Sequence, residues 1–235
     1  MNWFKELLKK NSIYWKENKK KIITAYLIFI TIVISVVFID QLTKILLFKW
    51  KEGTEKTVAA DGILFDWSIL GSRSVLHAGV TFVPNFHGKT ALIQTLSIIV
   101  LLLLCALPYF FAPKKTIVIL LAFMSGGNIG NMIDRFIYIN GSVKDIFFVP
   151  FLERWINKGE LGTFNFADVA IMGGSISMFI YFIVQVILNF NEQKKEEIIK
   201  INSKENLEND KKETNDENDE EQNKKTPPSN NLKTP

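Results

Sequence analysis

The sequence predicts an all-α integral membrane protein with four transmembrane helices and a small extracytoplasmic β-rich segment between helices 1 and 2. Three observations carry that expectation. Apolar residues make up 48% of the 235 and fall in four blocks, each about the length needed to cross a hydrocarbon core of roughly 30 Å. The lysines cluster beside those blocks. Between the first two blocks, glycines punctuate short β-prone runs.

The first block, Ile22 to Ile39, carries no charge and is followed by "DQLTK" with no small-x-small cleavage site. It reads as a retained helix, not a removed leader. Before it, residues 1 to 21 mix Trp3, Phe4, Leu7, Leu8, Tyr14 and Trp15 with seven lysines. This pattern suits either an amphipathic helix on the inner leaflet or a plain charged leader. The second, third and fourth blocks are Ala91 to Ala112, Thr116 to about Asp134, and Val169 to Phe190. The segment "TVAADGILFDWSILGSRSVLHAGVTFV" between the first two holds Gly62, Gly71 and Gly79 and runs such as Val80 to Val83, as a small surface sheet would. From residue 191 to 235 the chain is charged and polar, ends in "TPPSNNLKTP", and is expected to be a disordered tail. The domain reading is therefore 1–21, a membrane domain over 22–190, and the tail.

Lysines set the expected orientation. Besides the seven before the first span, Lys114 and Lys115 lie between spans two and three, and Lys194 and Lys195 follow span four. Residues 51 to 90 carry four basic and four acidic side chains, which leaves no bias there. Both termini are expected in the cytoplasm. The net charge of +4 fits this topology better than nucleic-acid binding. The single cysteine, Cys105, sits in an apolar run and reads as packing. With two histidines, His77 and His87, and no HExxH, a zinc hydrolase is not expected.

Five polar groups stand near the span ends. In "DQLTK", Asp40 and Lys44 are four apart, which fits an ordinary helix-end pair. "HAGVTF" places His77 and Gly79 before an apolar strand. In "GGNIGNMIDRF", Gly126 and Gly130 form a small-xxx-small face, and Gly127, Asn131 and Asp134 share another. Arg135 fits a side chain snorkelling to the interface. Asn131, an uncharged amide at that depth, needs a partner. "GSVKDIFF" holds Asp145 either as a loop carboxylate or in apolar contact that raises its pKa. "FNFADVAI" fits a helix cap, with Asn165 as N-cap and Asp168 three residues on.

Topology weighs against treating these as separate structural details. Asp40, Asp134, Asp145 and Asp168 all fall at or beyond the outer ends of spans. Two carboxylates brought together do not both ionise easily, so one keeps a proton. One can then activate water while the other protonates a carbonyl oxygen. The residues alone leave a membrane-embedded hydrolase or a small proton-coupled transporter open. A transporter would need carboxylates reachable from both faces, and none lies in the inner halves of the spans. A Ser–Lys dyad has Lys44 available, but Ser175 and Ser177 lie well inside span four.

Taken in order, "DQLTK", "HAGVTF", "GGNIGNMIDR" with "GSVKD", and "FNFAD" resemble signal peptidase II, the lipoprotein signal peptidase, over roughly residues 22 to 190. The resemblance implies an aspartic endopeptidase of the bacterial inner membrane with its site near the outer face. Its substrate would be a prolipoprotein carrying a diacylglyceryl-modified cysteine, cut just before that cysteine. It would work among membrane lipids as a monomer, without metal, cofactor or nucleic acid. By the same resemblance Asp145 and Asp168 are the catalytic pair. Asn131, Arg135, Asn165, Asp40, Lys44, Gly79, His77 and Asp134 are the substrate-binding or site-ordering residues. Asn131 and Arg135 match positions that line the substrate site, and Asp40 and Lys44 match positions that order it. His77 stands where that family usually has Asn.

Overall fold

A computed structural model describes residues 2–54, 56–78, 90–156 and 162–224, with side chains described at Glu6 and, within those ranges, from Lys10 to Ile199. Among the described residues, four helices are long and apolar enough to cross a membrane. They are α1 (Asn2–Leu47), α2 (Thr90–Phe111), α3 (Lys115–Ile137) and α5 (Phe166–Lys224), with a short α4 at Pro150–Ile156. Three of the expected spans lie within them, and the second, Ala91 to Ala112, ends one residue past α2. By contacts the chain forms two compact units, Met1–Phe179 and Ile180–Pro235.

Residues 2 to 21 are continuous with the first span. They are the first turns of α1, which runs unbroken for 46 residues, about 70 Å at 1.5 Å per residue. No glycine or proline occurs between Asn2 and Leu47 to interrupt it. Tyr14 and Trp15 are held at the end of α2. Tyr14 donates its hydroxyl to the Tyr109 carbonyl at 3.2 Å, Trp15 stacks on the Tyr109 ring, and the Tyr109 hydroxyl donates to Asn11 at 2.5 Å. At the other end of the chain, α5 continues past Phe190 as far as Lys224, where the sequence suggests a disordered tail. The stretch is rich in Glu, Lys and Gln, which favour the helix and place opposite charges one turn apart.

The small sheet has three antiparallel strands in the order β1 (Ile63–Asp66), β2 (Gly71–His77) and β3 (Val143–Phe148). Two come from the segment between α1 and α2, as expected. The third comes from "GSVKDIFF", outside the segment where the sequence suggests a sheet. Its Val, Ile and Phe residues suit a strand, and the pairing sets Val75 opposite Asp145 and His77 opposite Val143. The expected run Val80 to Val83 lies outside the described residues. Arg73 of β2 fixes α4 to the sheet. It reaches Glu153 through two hydrogen bonds of 3.1 and 2.8 Å, and its guanidinium lies over the Phe148 ring.

Small residues let the spans approach closely. A Cβ on Gly126 would lie 2.7 Å from Val36 Cβ of α1, and one on Gly130 would lie 2.6 Å from Asp40 Oδ2. One on Gly127 would strike the Ala167 carbonyl and lie 2.7 Å from Ile171 Cγ1 of α5. Gly173 has nothing within 4 Å of such an atom. Gly127→Val should therefore destabilise the protein by about 1–3 kcal/mol. Gly173→Ala should be neutral or stabilising by up to about 1 kcal/mol. Thermal unfolding in detergent checks both, and equal effects would contradict this packing.

Candidate active site

The site is assembled from the last turns of α1 and α3, strand β3 and the first turn of α5. Lys44 lies at its base with a fully buried side chain. Its ammonium reaches Asp40 Oδ2 at 2.8 Å, Asp134 Oδ2 at 3.0 Å and Asn131 Oδ1 at 3.2 Å. Three acceptors match the three hydrogens of a lysine ammonium. Asp40 and Asp134 are also 0% exposed, so the spacing that fitted a helix-end pair belongs instead to a buried three-charge cluster.

Each carboxylate of that cluster also binds another element. Asp40 Oδ1 accepts the Ala167 backbone N–H at 2.9 Å, in the first turn of α5. Asp134 Oδ2 accepts the Lys144 backbone N–H at 3.0 Å, one residue before Asp145. Gln41 donates to Asp40, to the Gly130 carbonyl and to Asp134, at 3.0, 3.1 and 3.4 Å. The cluster thus ties α1 to α3, α5 and β3. Lys144, itself buried, points its ammonium at the faces of Tyr138 and Phe48, 4.8 and 5.9 Å from the ring centroids.

Asn165 and Asn131 connect this base to Asp145 and Asp168. Asn165 has a fully buried side chain. Its amide nitrogen donates to Asp145 Oδ1 at 2.8 Å, to Asn131 Oδ1 at 3.0 Å and to the Lys144 carbonyl at 3.3 Å. Its side-chain oxygen accepts the Asp168 N–H at 3.0 Å, and its own N–H donates to Asp168 Oδ2 at 3.0 Å. This is the reciprocal capping pattern suggested by "NFAD". The same residue therefore caps α5 and touches both carboxylates. Asn131 donates its amide to Asp168 Oδ1 at 2.8 Å. Its oxygen serves Lys44 and Asn165, and one amide hydrogen is left over among the described residues.

The two carboxylates have different surroundings. Asp168 has both oxygens engaged by N–H donors, at the N-terminus of a long helix. Asp145 is 4% exposed and has one donor among the described residues, Asn165. Burial holds the Asp145 carboxyl well above the ordinary carboxylate range. The nearby charge of Asp168 adds to this, and the bond from Asn165 and the charge of Lys44 oppose it only in part.

Both carboxylates line one cavity of about 490 Å³. Asn131, Arg135 and His77 line it too, with Ile93, Val143, Phe164, Ile171 and Met172 among the apolar walls. Arg135 donates to the Gly141 carbonyl at 3.0 Å, and its own carbonyl accepts from Gln94 at 2.9 Å. Asn140 and Gly141 both take positive φ in the turn before β3. Such a turn suits Asn-Gly and presents the Gly141 carbonyl to Arg135. Of the ten residues singled out from the sequence, nine enter this cluster or cavity, and Gly79 lies outside the described residues. Gln41, Gln94 and Lys144 were not singled out, although two of them sit inside the quoted motifs. A polar side chain beside a motif residue is the one sequence signal they offered.

The sequence pattern of the family described as signal peptidase (SPase) II matches residues 32–184. A lipoprotein signal peptidase of Pelodictyon phaeoclathratiforme is 31% identical over 163 residues, covering 66% of this chain and 89% of that protein. A lipoprotein signal peptidase of Mycoplasma genitalium is 27% identical over 143 residues, covering 60% and 70%. A solved structure described as a bacterial membrane enzyme is 24% identical with a TM-score of 0.52, covering 67% of this chain and 88% of that one. This last likeness bears on the fold.

Lys44→Met would leave two buried carboxylates facing each other without a cation. It should destabilise the protein by about 3–5 kcal/mol. Adding Asp40→Asn should restore part of that loss, because one uncompensated charge is then removed. Unfolding midpoints of the single and double variants check this, and an unshifted midpoint for Lys44→Met would contradict it.

Proposed function

The chain belongs to the signal peptidase II family, and from that premise we propose that it is an aspartic endopeptidase acting on diacylglyceryl-modified prolipoproteins. It removes the signal peptide by cutting before the lipidated cysteine. The observation that carries the reading is that buried Asn165 binds both Asp145 and Asp168, the two carboxylates that line a single cavity. The proton-coupled transporter weighed from the sequence finds no support in the family match.

The different surroundings assign the roles. Asp168, supplied with two N–H donors, is the base. Asp145, buried and held high, is the acid that keeps its proton. A water between them gives a proton to Asp168 as its oxygen attacks the scissile carbonyl. Asp145 gives its proton to the carbonyl oxygen, so the tetrahedral intermediate forms without a full oxyanion. On collapse, Asp168 returns its proton to the leaving amine and Asp145 recovers one from the hydroxyl. The free amide hydrogen of Asn131 and the Arg135 guanidinium hold the substrate backbone. Asp40, Lys44, Asp134 and the peptide at Lys144 set the positions of the two carboxylates without touching substrate. His77, opposite Val143 on the next strand, lies on the wall against which the substrate is held.

Lysine distribution supports a multi-pass protein of the bacterial cell membrane with both termini cytoplasmic and the site near the outer face. In this arrangement the signal peptide enters laterally as a helix, and the acyl chains leave along the apolar wall of Ile93, Ile171 and Met172. The functional part is residues 22–190, acting as a monomer.

Asp145→Asn and Asp168→Asn should each lower cleavage of a diacylated prolipoprotein by on the order of a thousand-fold. Near-normal cleavage by either would contradict the assignment. Activity should also fall as pH rises through the elevated Asp145 value, because the acid form is then lost.

The same shift predicts an effect on stability. Below about pH 4, folded and unfolded chains both hold the Asp145 proton, and burying it has no ionisation penalty. Above that, the unfolded chain ionises while the folded one does not, so stability is lost until the pH reaches the folded value. Inactive Asp145→Asn should thus melt at least roughly 2 °C above the wild type at neutral pH. The gain should vanish below about pH 4. A variant that is less stable at neutral pH would contradict the elevated value.

A further inference from the structure

A second cavity, of about 320 Å³, lies at the opposite end of the bundle. It is lined by Lys20, Lys21, Thr24, Ala25 and Ile28 of α1, by Ala112 and Pro113 of the turn after α2, and by Lys115 and Val118 of α3. Lys20 and Asp40 are separated along α1 by 20 residues, about 30 Å of helix. That is the thickness of a hydrocarbon core. The two cavities therefore sit at the two membrane interfaces, one facing the chemistry and the other far from it.

The lining has two distinct parts. Three lysines and a threonine hydroxyl form the rim, while Ala25, Ile28 and Val118 form an apolar floor on which Ala25 and Val118 are buried. Among the described residues no ion pair engages Lys20, Lys21 or Lys115, and Glu17, one turn back on α1, makes none with them. The first turn of α3 adds to the positive character. It holds no acidic residue, and Lys114 at its N-cap offers no side-chain hydrogen bond to the free N–H groups. Cations that are unpaired and gathered round one cavity are complementary to an anion. The apolar floor beneath them is complementary to hydrocarbon.

We propose that this cavity binds the phosphate of an anionic phospholipid from the leaflet on that side. The phosphate lies among Lys20, Lys21 and Lys115, with Thr24 donating its hydroxyl. The glycerol and the first acyl carbons lie on Ala25, Ile28 and Val118. A bound lipid would bridge α1 to the α2–α3 turn and hold that end of the bundle as the buried Lys44 cluster holds the other. Basic pockets between transmembrane helices at the interface are suited to such headgroups.

The test is titration of the detergent-solubilised full chain with phosphatidylglycerol, with phosphatidylcholine and with inorganic phosphate, read by native mass spectrometry. One phosphatidylglycerol should bind per chain, more tightly than phosphatidylcholine or inorganic phosphate. A lysine beside an anionic headgroup is worth roughly five-fold in affinity. Lys20→Gln/Lys115→Gln should therefore weaken phosphatidylglycerol by on the order of 25-fold. Lys10→Gln/Lys16→Gln, with the same change in charge outside the cavity, should leave it nearly unchanged. Retained peptidase activity in both double variants shows that they fold. Equal binding of phosphatidylcholine, or equal binding of inorganic phosphate, would overturn the proposal. So would equal losses in the two double variants.

Discussion

The arrangement depends on one ammonium group. Lys44 is shut away from solvent and satisfied on all three hydrogens by Asp40, Asp134 and Asn131. A buried ion pair is seldom a net source of stability, because desolvation offsets much of the attraction. Its value here is positional. Asp40 passes the constraint to the first turn of α5 through Ala167, and Asp134 passes it to β3 through the Lys144 peptide. These are the elements that carry Asp168 and Asp145. The helix that carries Asp168 and the strand that carries Asp145 are thereby tied to one cluster, whose Asn131 also donates directly to Asp168.

The proposed chemistry asks two like groups to behave differently, and their surroundings differ. Asp168 starts a long helix and receives donors at both oxygens. Asp145 is buried on a strand against apolar neighbours, with a charged carboxylate nearby. Asn165 holds both, so the asymmetry sits within one hydrogen-bonded unit. Glycine packing makes the unit possible. Gly127 and Gly130 admit α5 and Asp40 to distances that any side chain would prevent.

Much of this was legible in the sequence, to an extent that followed the range of the interactions. Span-length apolar blocks identified all four membrane helices, because crossing a bilayer imposes length and composition on each helix separately. The capping pattern at Asn165 and Asp168 was readable because it is local. That this cap also holds Asp145 was not readable, since Asn165 and Asp145 meet only through tertiary packing. Gln41 was passed over for a related reason. Its partners Gly130 and Asp134 lie on α3, and nothing in the sequence around Gln41 indicates them. Strand β3 was not readable because six residues with a lysine and an aspartate among them carry a weak pattern, and pairing with β2 defines it. The length of α1 was missed for another reason. Its lysines suggested a boundary at the membrane surface, whereas a helix without glycine or proline has no cause to stop there.

The central claim is that Asp145 holds a proton at neutral pH. Infrared difference spectroscopy of the protonated carboxyl C=O stretch, on the wild type against Asp145→Asn and Asp168→Asn, tests it most directly. The account predicts a protonated carboxyl band at neutral pH that disappears in Asp145→Asn and remains in Asp168→Asn. A band that survives in Asp145→Asn and is lost only in Asp168→Asn would contradict it.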